Sequence, residues 1–108
     1  MNPPLAPPAL PTPEQIRTSL RAVVDPEVGV NIVDLGLIYD VQVSPDALRI
    51  ALTMTSPGCP LGDLIIEEAA AALAADWPEA PPASIELVWN PPWEPAMMSD
   101  KARDNLGW

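Results

Sequence analysis

Between Leu48 and Leu73 the apolar residues change period, and that change limits what the chain can build. Leu48, Ile50, Leu52 and Met54 alternate, as on a strand with one buried face. Leu61, Ile65, Ala69 and Leu73 recur at every fourth position, as on a helix. A strand that runs straight into a helix calls for a sheet with helices laid on it. The junction is Thr53-Met54-Thr55-Ser56-Pro57-Gly58-Cys59-Pro60-Leu61-Gly62-Asp63, and it holds the protein's only cysteine. With Cys59 as N-cap and Pro60 as first helical residue, backbone N–H groups and the positive end of the helix dipole lie beside the sulfur. Such a position favours the thiolate, which is both nucleophile and metal ligand. The alternative is a small, inert residue filling a tight turn.

The rest of the chain supplies the partners of that unit. Thr12-Pro13-Glu14-Gln15 reads as a helix start, with Thr12 as N-cap and Gln15 closing a capping box. Ile16, Leu20, Val23 and Val24 continue it at helical spacing, and Pro26 stops it near Val24. Asp25-Pro26-Glu27 follows as a turn. By spacing alone Asp25 and Glu27 are turn residues, Asp bonding its own backbone beside Pro; the sharper alternative gathers them with Cys59 around one site. Leu37, Tyr39, Val41 and Val43 alternate with Ile38, Asp40 and Gln42, then Ser44-Pro45-Asp46 turns the chain into the Leu48 strand, giving a β-hairpin. The second helix runs from Leu61 to about Trp77, stopped by Pro78. A third strand spans Ser84 to Asn90, with Ile85, Leu87 and Trp89 on one face. Because a helix joins strands two and three, they should run parallel through a right-handed crossover. Ser99 caps a short last helix that Gly107 terminates. Trp93, Met97, Met98 and Trp108 should close an open face of the sheet, with a protein-interaction patch as the alternative. The expected fold is therefore a two-layer α/β domain, α-β-β-α-β-α, with a three-stranded mixed sheet. Residues 1–11, with five prolines, read as a disordered or polyproline-like tail, and 12–108 as one domain.

Composition removes several function classes. The chain has no histidine, so histidine-based catalysis and histidine-containing metal sites are excluded. One cysteine cannot make a disulfide framework within a chain and fits a reducing compartment. Five basic residues against fifteen acidic ones leave a formal charge of −10, which argues against nucleic-acid backbones as partners. No apolar run approaches the roughly 20 residues that span a bilayer, and the first residues lack the pattern of a signal peptide. A cytoplasmic protein that uses no membrane is expected. Pro57-Gly58-Cys59-Pro60-Leu61-Gly62 is no phosphate cradle, since it has no Lys partner.

Asp25-Pro26-Glu27, Asp34-Leu35-Gly36-Leu37-Ile38-Tyr39, Thr53-Met54-Thr55-Ser56-Pro57-Gly58-Cys59-Pro60, Asn90-Pro91-Pro92-Trp93, Met98-Ser99 and Leu106-Gly107 occur in that order. Together they resemble the PaaD/SufT-like family of iron–sulfur cluster assembly and maturation factors, over about residues 13 to 108. The resemblance implies an auxiliary role in assembling or delivering clusters to recipient proteins, without turnover of a small substrate. It implies a functional site at Asp25, Glu27, Thr55, Ser56 and Cys59, with Ser56 in place of the commoner Thr, and Cys59 as a transient or subunit-bridging metal ligand. Longer PaaD-type members carry a C-terminal extension with further cysteines; the chain stopping at Trp108 points to the short, SufT-like group. Its implied partners are iron–sulfur assembly proteins and recipient apoproteins, with a homodimer left open.

The chemistry narrows this further. Iron–sulfur clusters usually take four thiolates, and each chain supplies one. No tightly bound cofactor is expected: either a cluster is bridged between subunits with outside thiols or carboxylates, or Cys59 is a transient ligand in a handover, or no cluster is held and the protein acts by docking partners. Two other readings stand beside it: a thiol enzyme with Cys59 as nucleophile, whose base would have to be Asp25, Glu27 or the helix dipole itself, and an adaptor whose Trp and Met surface binds a partner while Cys59 is structural.

Overall fold

In the computed structural model, residues 10–55 and 62–107 are described. The first helix, α1 (Pro13–Leu20), starts as its sequence dictates. The Thr12 hydroxyl accepts from Gln15 N–H at 3.1 Å, and Gln15 Oε1 accepts from Thr12 N–H at 2.9 Å. It ends earlier than the apolar spacing suggests. The chain turns at Arg21, Val23 stays in the core, and Val24 is left 44% exposed. The cause is a short hairpin that periodicity does not reveal: β1 (Val24–Asp25) pairs antiparallel with β2 (Val30–Asn31).

The main sheet has the order β3 (Ile38–Val43), β4 (Leu48–Leu52), β5 (Ala83–Leu87). The β3–β4 pair is antiparallel and the β4–β5 pair parallel, so the sheet is mixed, as expected. The long helix α2 (Gly62–Asp76) makes the crossover between β4 and β5. It packs on α1 and β5, while α1 packs on β3, so both helices lie on one face. Ile16, Leu20, Leu48, Ile50, Leu52, Ile65, Ala69 and Leu73 fill the space between the layers. Trp77 Nε1–H donates to Ser19 Oγ at 3.0 Å and fastens the end of α2 to α1.

Two strand expectations need correction. A bulge in β3 falls between Ile38 and Asp40: Ile38 faces Leu52, and Asp40 faces Ala51. Cross-strand partners share a face, so Ile38 takes the inward place that simple alternation gives to Tyr39. Tyr39 is half-buried and sends its hydroxyl to Pro91 O at 2.7 Å, beside Met97 Sδ at 3.4 Å. The last strand stops at Leu87 rather than Asn90. Beyond Val88 N–H, which donates to Leu52 O, the pleat no longer governs direction, and Trp89 is 41% exposed instead of facing the helices.

After β5 the chain passes through a cis Asn90–Pro91 bond and a 3₁₀ turn (Pro95–Met97) into α3 (Asp100–Leu106). Ser99 Oγ accepts from Ala102 N–H at 3.1 Å, and Gly107, at φ 69°, ends the helix. This segment closes the fold, as its apolar content suggests. Met98 and Ala102 are buried, and Trp93 and Leu106 pack on the core. Ser99 N–H donates to Asp34 O and Trp93 Nε1–H to Leu35 O, both at 2.7 Å. Trp108 lies outside the described residues.

Candidate functional site

The site region is carried by a ladder of backbone bonds that joins the small hairpin to the main sheet. Ile32 N–H donates to Val23 O, Leu37 N–H to Ile32 O, and Thr53 N–H to Leu37 O, at 3.0, 3.0 and 2.8 Å. At one end, the chain leaves β4 through Thr53, Met54 and Thr55 toward Cys59; at the other it enters Asp25-Pro26-Glu27. Between them, Asn31 organises the turn. Its Oδ1 accepts from Val33 and Asp34 N–H at 3.1 and 2.9 Å, and its Nδ2–H donates to Asp34 Oδ2 at 2.8 Å. Asp34 is thereby a scaffold residue, with Arg21 Nε a further 3.8 Å from its other oxygen.

Asp25 is fully buried. One carboxylate oxygen, Oδ1, accepts from Glu27 N–H at 2.9 Å, and its backbone carbonyl accepts from Val28 and Gly29 N–H. That is the turn role the spacing favours. The other oxygen, Oδ2, is buried and has no hydrogen-bond partner among the described residues. A turn needs only one oxygen. A second, desolvated and unpaired, has an energetic cost that the turn does not explain. Thr53 repeats the pattern: it is 1% exposed and its Oγ1 is also unpartnered among the described residues. Thr53 was not among the residues expected at the site. Its place in an alternating strand predicts an outward side chain, but β4 ends at Leu52 and the alternation ends with it.

Glu27 is exposed, bound to Asp25 through its backbone. Thr55 is half-buried on the wall of a cleft of about 400 Å³, which it shares with Met54, Trp89, Pro92 and Trp93. Ser56 and Cys59 lie outside the described residues, as does the cap geometry expected at Cys59-Pro60. The described structure therefore joins Asp25 to Glu27 and sets Thr55 beside two tryptophans. Among the described residues no group of three His, Cys, Asp or Glu side chains is placed to hold a metal ion. One thiol per chain is short of the four thiolates that a resident iron–sulfur cluster usually takes.

Residues 13–86 match the model of the family described as iron–sulfur cluster assembly protein. The chain belongs to this family. It is 50% identical over 95 residues to the Fe-S protein maturation auxiliary factor YitW of Bacillus subtilis, covering 87% of this chain and 92% of that one. It is 43% identical to the Fe-S protein maturation auxiliary factor SufT of Staphylococcus aureus, over 79% of this chain and 97% of that one. A crystal structure of a domain of unknown function, DUF59, from Bacillus anthracis superposes with a TM-score of 0.84 at 41% identity, covering 87% of this chain and 90% of that one. The short, SufT-like resemblance read from the motifs, and the two-layer α/β fold, agree with these likenesses.

Proposed function

We propose that this protein is an auxiliary factor that passes iron–sulfur clusters to recipient proteins, with Cys59 as the transient thiolate ligand. The observation that carries the reading is the likeness to two maturation auxiliary factors over most of each chain. The buried oxygen of Asp25, unpartnered among the described residues, supports it, because a binding event would pair it. In this reading Asp25, Glu27, Thr55 and Ser56 surround the thiol. Carboxylates beside a thiolate repel it, but iron carried between them reverses the sign. The cluster arrives from assembly proteins and leaves on recipient apoproteins. The working unit is residues 12–108, with 1–11 as an accessory tail, acting in the cytoplasm as one chain or as a homodimer. Among the described residues no helix is long and apolar enough to cross a membrane.

The test is Cys59→Ser, expressed at wild-type level in cells that lack the native protein. We expect an unchanged melting curve and loss of activity in iron–sulfur client enzymes. Clients matured equally well by the Ser variant would make Cys59 structural and end the handover reading.

A further inference from the structure

We propose that the open edge of β5 pairs with the same edge of a second copy of this chain, joining the two three-stranded sheets into one. The direction of each backbone group in β5 is settled by its neighbours. Leu48 N–H donates to Pro82 O and Val88 N–H to Leu52 O, so Ser84 and Glu86 between them also turn their N–H and C=O toward β4. Those of Ala83, Ile85 and Leu87 point away from the sheet, and among the described residues no backbone hydrogen bond reaches them. The side chains of the same three residues lie on the helix face, across from Leu48, Ile50 and Leu52. They stay half-buried where those three are buried. A strand laid along this edge covers apolar surface and pairs backbone groups together. The other edge of the sheet is blunted. There β3 carries the bulge between Ile38 and Asp40, α1 packs on it, and Arg17 Nη1 lies 3.5 Å from Ile38 O. β5 has no bulge, proline or lysine to protect it.

Pairing rules select the occupant. The stretches of this chain outside the described residues make poor strands, because prolines at 3, 4, 7, 8, 57 and 60 leave at most two successive N–H donors within them. A second copy fits residue by residue. With the two strands antiparallel about a two-fold axis at Ile85, Ile85 faces the partner's Ile85, and Ala83 faces the partner's Leu87. Every outward N–H and C=O of the three residues then finds a partner. On the helix face the large Leu87 meets the small Ala83, which lines an apolar groove with Ala70, Ala74 and Trp77. On the opposite face Glu86 meets the hydroxyl of the partner's Ser84, and the partner's Arg49 stands next in the same row. That guanidinium is two strands from Glu86, roughly 10 Å between backbones, a gap that the two long side chains span. Moving the axis to Glu86 would set two carboxylates against each other, so charge fixes the register. The formal charge of −10 opposes the approach of two copies, and salt at about 0.15 M, with a Debye length of about 8 Å, screens it. The dimer does not depend on the handover reading. Its two β4 strands end at opposite ends of the joined sheet, so the chain runs on toward Cys59 once at each end.

Sedimentation of the full chain in about 0.15 M sodium chloride, from micromolar to submillimolar concentration, tests it. We expect a reversible dimer, weakened roughly tenfold by Ser84→Glu, which twice sets an acid against the partner's Glu86, and restored when Glu86→Lys is added. Ser84 and Glu86 are exposed, so both variants should melt as the wild type does at concentrations where the chain is monomeric. Amide exchange reads the register. The amides of Ile85 and Leu87 should slow as chain concentration rises, while those of Ser84 and Glu86, already bonded to β4, should not change. A monomer over the whole range, a dimer indifferent to Ser84→Glu, or no restoration by the charge swap overturns the edge pairing. The Cys59→Ser protein should dimerise as the wild type does. Loss of the dimer then removes the edge pairing alone, and failure of client maturation removes the handover alone.

Discussion

Asp25 holds an acid where burial is complete, yet among the described residues only half of its carboxylate is paired. Asparagine offers a test, because its Oδ1 can still accept from Glu27 N–H while the carboxylate charge is removed. If folding needs the carboxylate charge itself, Asp25→Asn should lower stability although the turn bond is kept. If it is kept for a binding event, the change should leave stability unchanged or raise it by about 1 kcal/mol, and should abolish cluster delivery. We expect the second outcome, read from the urea midpoint together with client enzyme activity in cells. A lowered midpoint with intact delivery would assign Asp25 to folding. The sequence placed Asp25 correctly in the turn, because an Asp beside Pro has a local bond to make. It could not reveal that Oδ2 has no partner among the described residues, since burial is a tertiary property. Thr53 was hidden for the same reason: nothing local marks where a strand stops alternating.

At the level of elements, the molecule depends on how the C-terminal segment sits on the turn before β3. Gly36 is the contact point. It has φ 77°, and a Cβ there would overlap the backbone carbonyl of Met97. Gly29 has nearly the same φ, 78°, but open space around it. The pair separates backbone conformation from packing. Gly29→Ala should cost about 1 kcal/mol, the price of a left-handed backbone alone. Gly36→Ala should cost about 2–4 kcal/mol, because the 3₁₀ turn at Pro95–Met97 must also move. Equal losses in denaturant melts would show that the segment is not seated on Gly36. Elements with local signatures were legible: the capping box of α1, the Ser99 cap and Gly107 stop of α3, and the strand-to-helix switch at β4 and α2. The β1–β2 hairpin was not, because two residues a side carry no period. The β3 bulge was not either, since one extra residue moves Ile38 inward and frees Tyr39 for Pro91 and Met97 without disturbing the composition of the strand.

Over the whole molecule, fifteen acidic residues face five basic ones, and α2 is one of the stretches that carries acids alone. That helix carries Asp63, Glu67, Glu68 and Asp76 with no basic residue, and Glu79 follows it. Asp63 in the first turn is favourable to the helix dipole, but Asp76 at the last turn opposes it. Compensation is sparse: among the described residues the ion pair between side chains is Arg21 with Asp34, long at 3.8 Å and half-exposed on the arginine side. Self-repulsion should therefore outweigh ionic attraction in the folded state. Raising sodium chloride from about 0.01 M to about 0.1 M shortens the Debye length from about 30 Å to about 10 Å and should raise the melting temperature by about 5 °C. Asp76→Lys should raise it at low salt and reduce the response to added salt. A melting temperature that falls over that range would mean that attractive pairs dominate the fold.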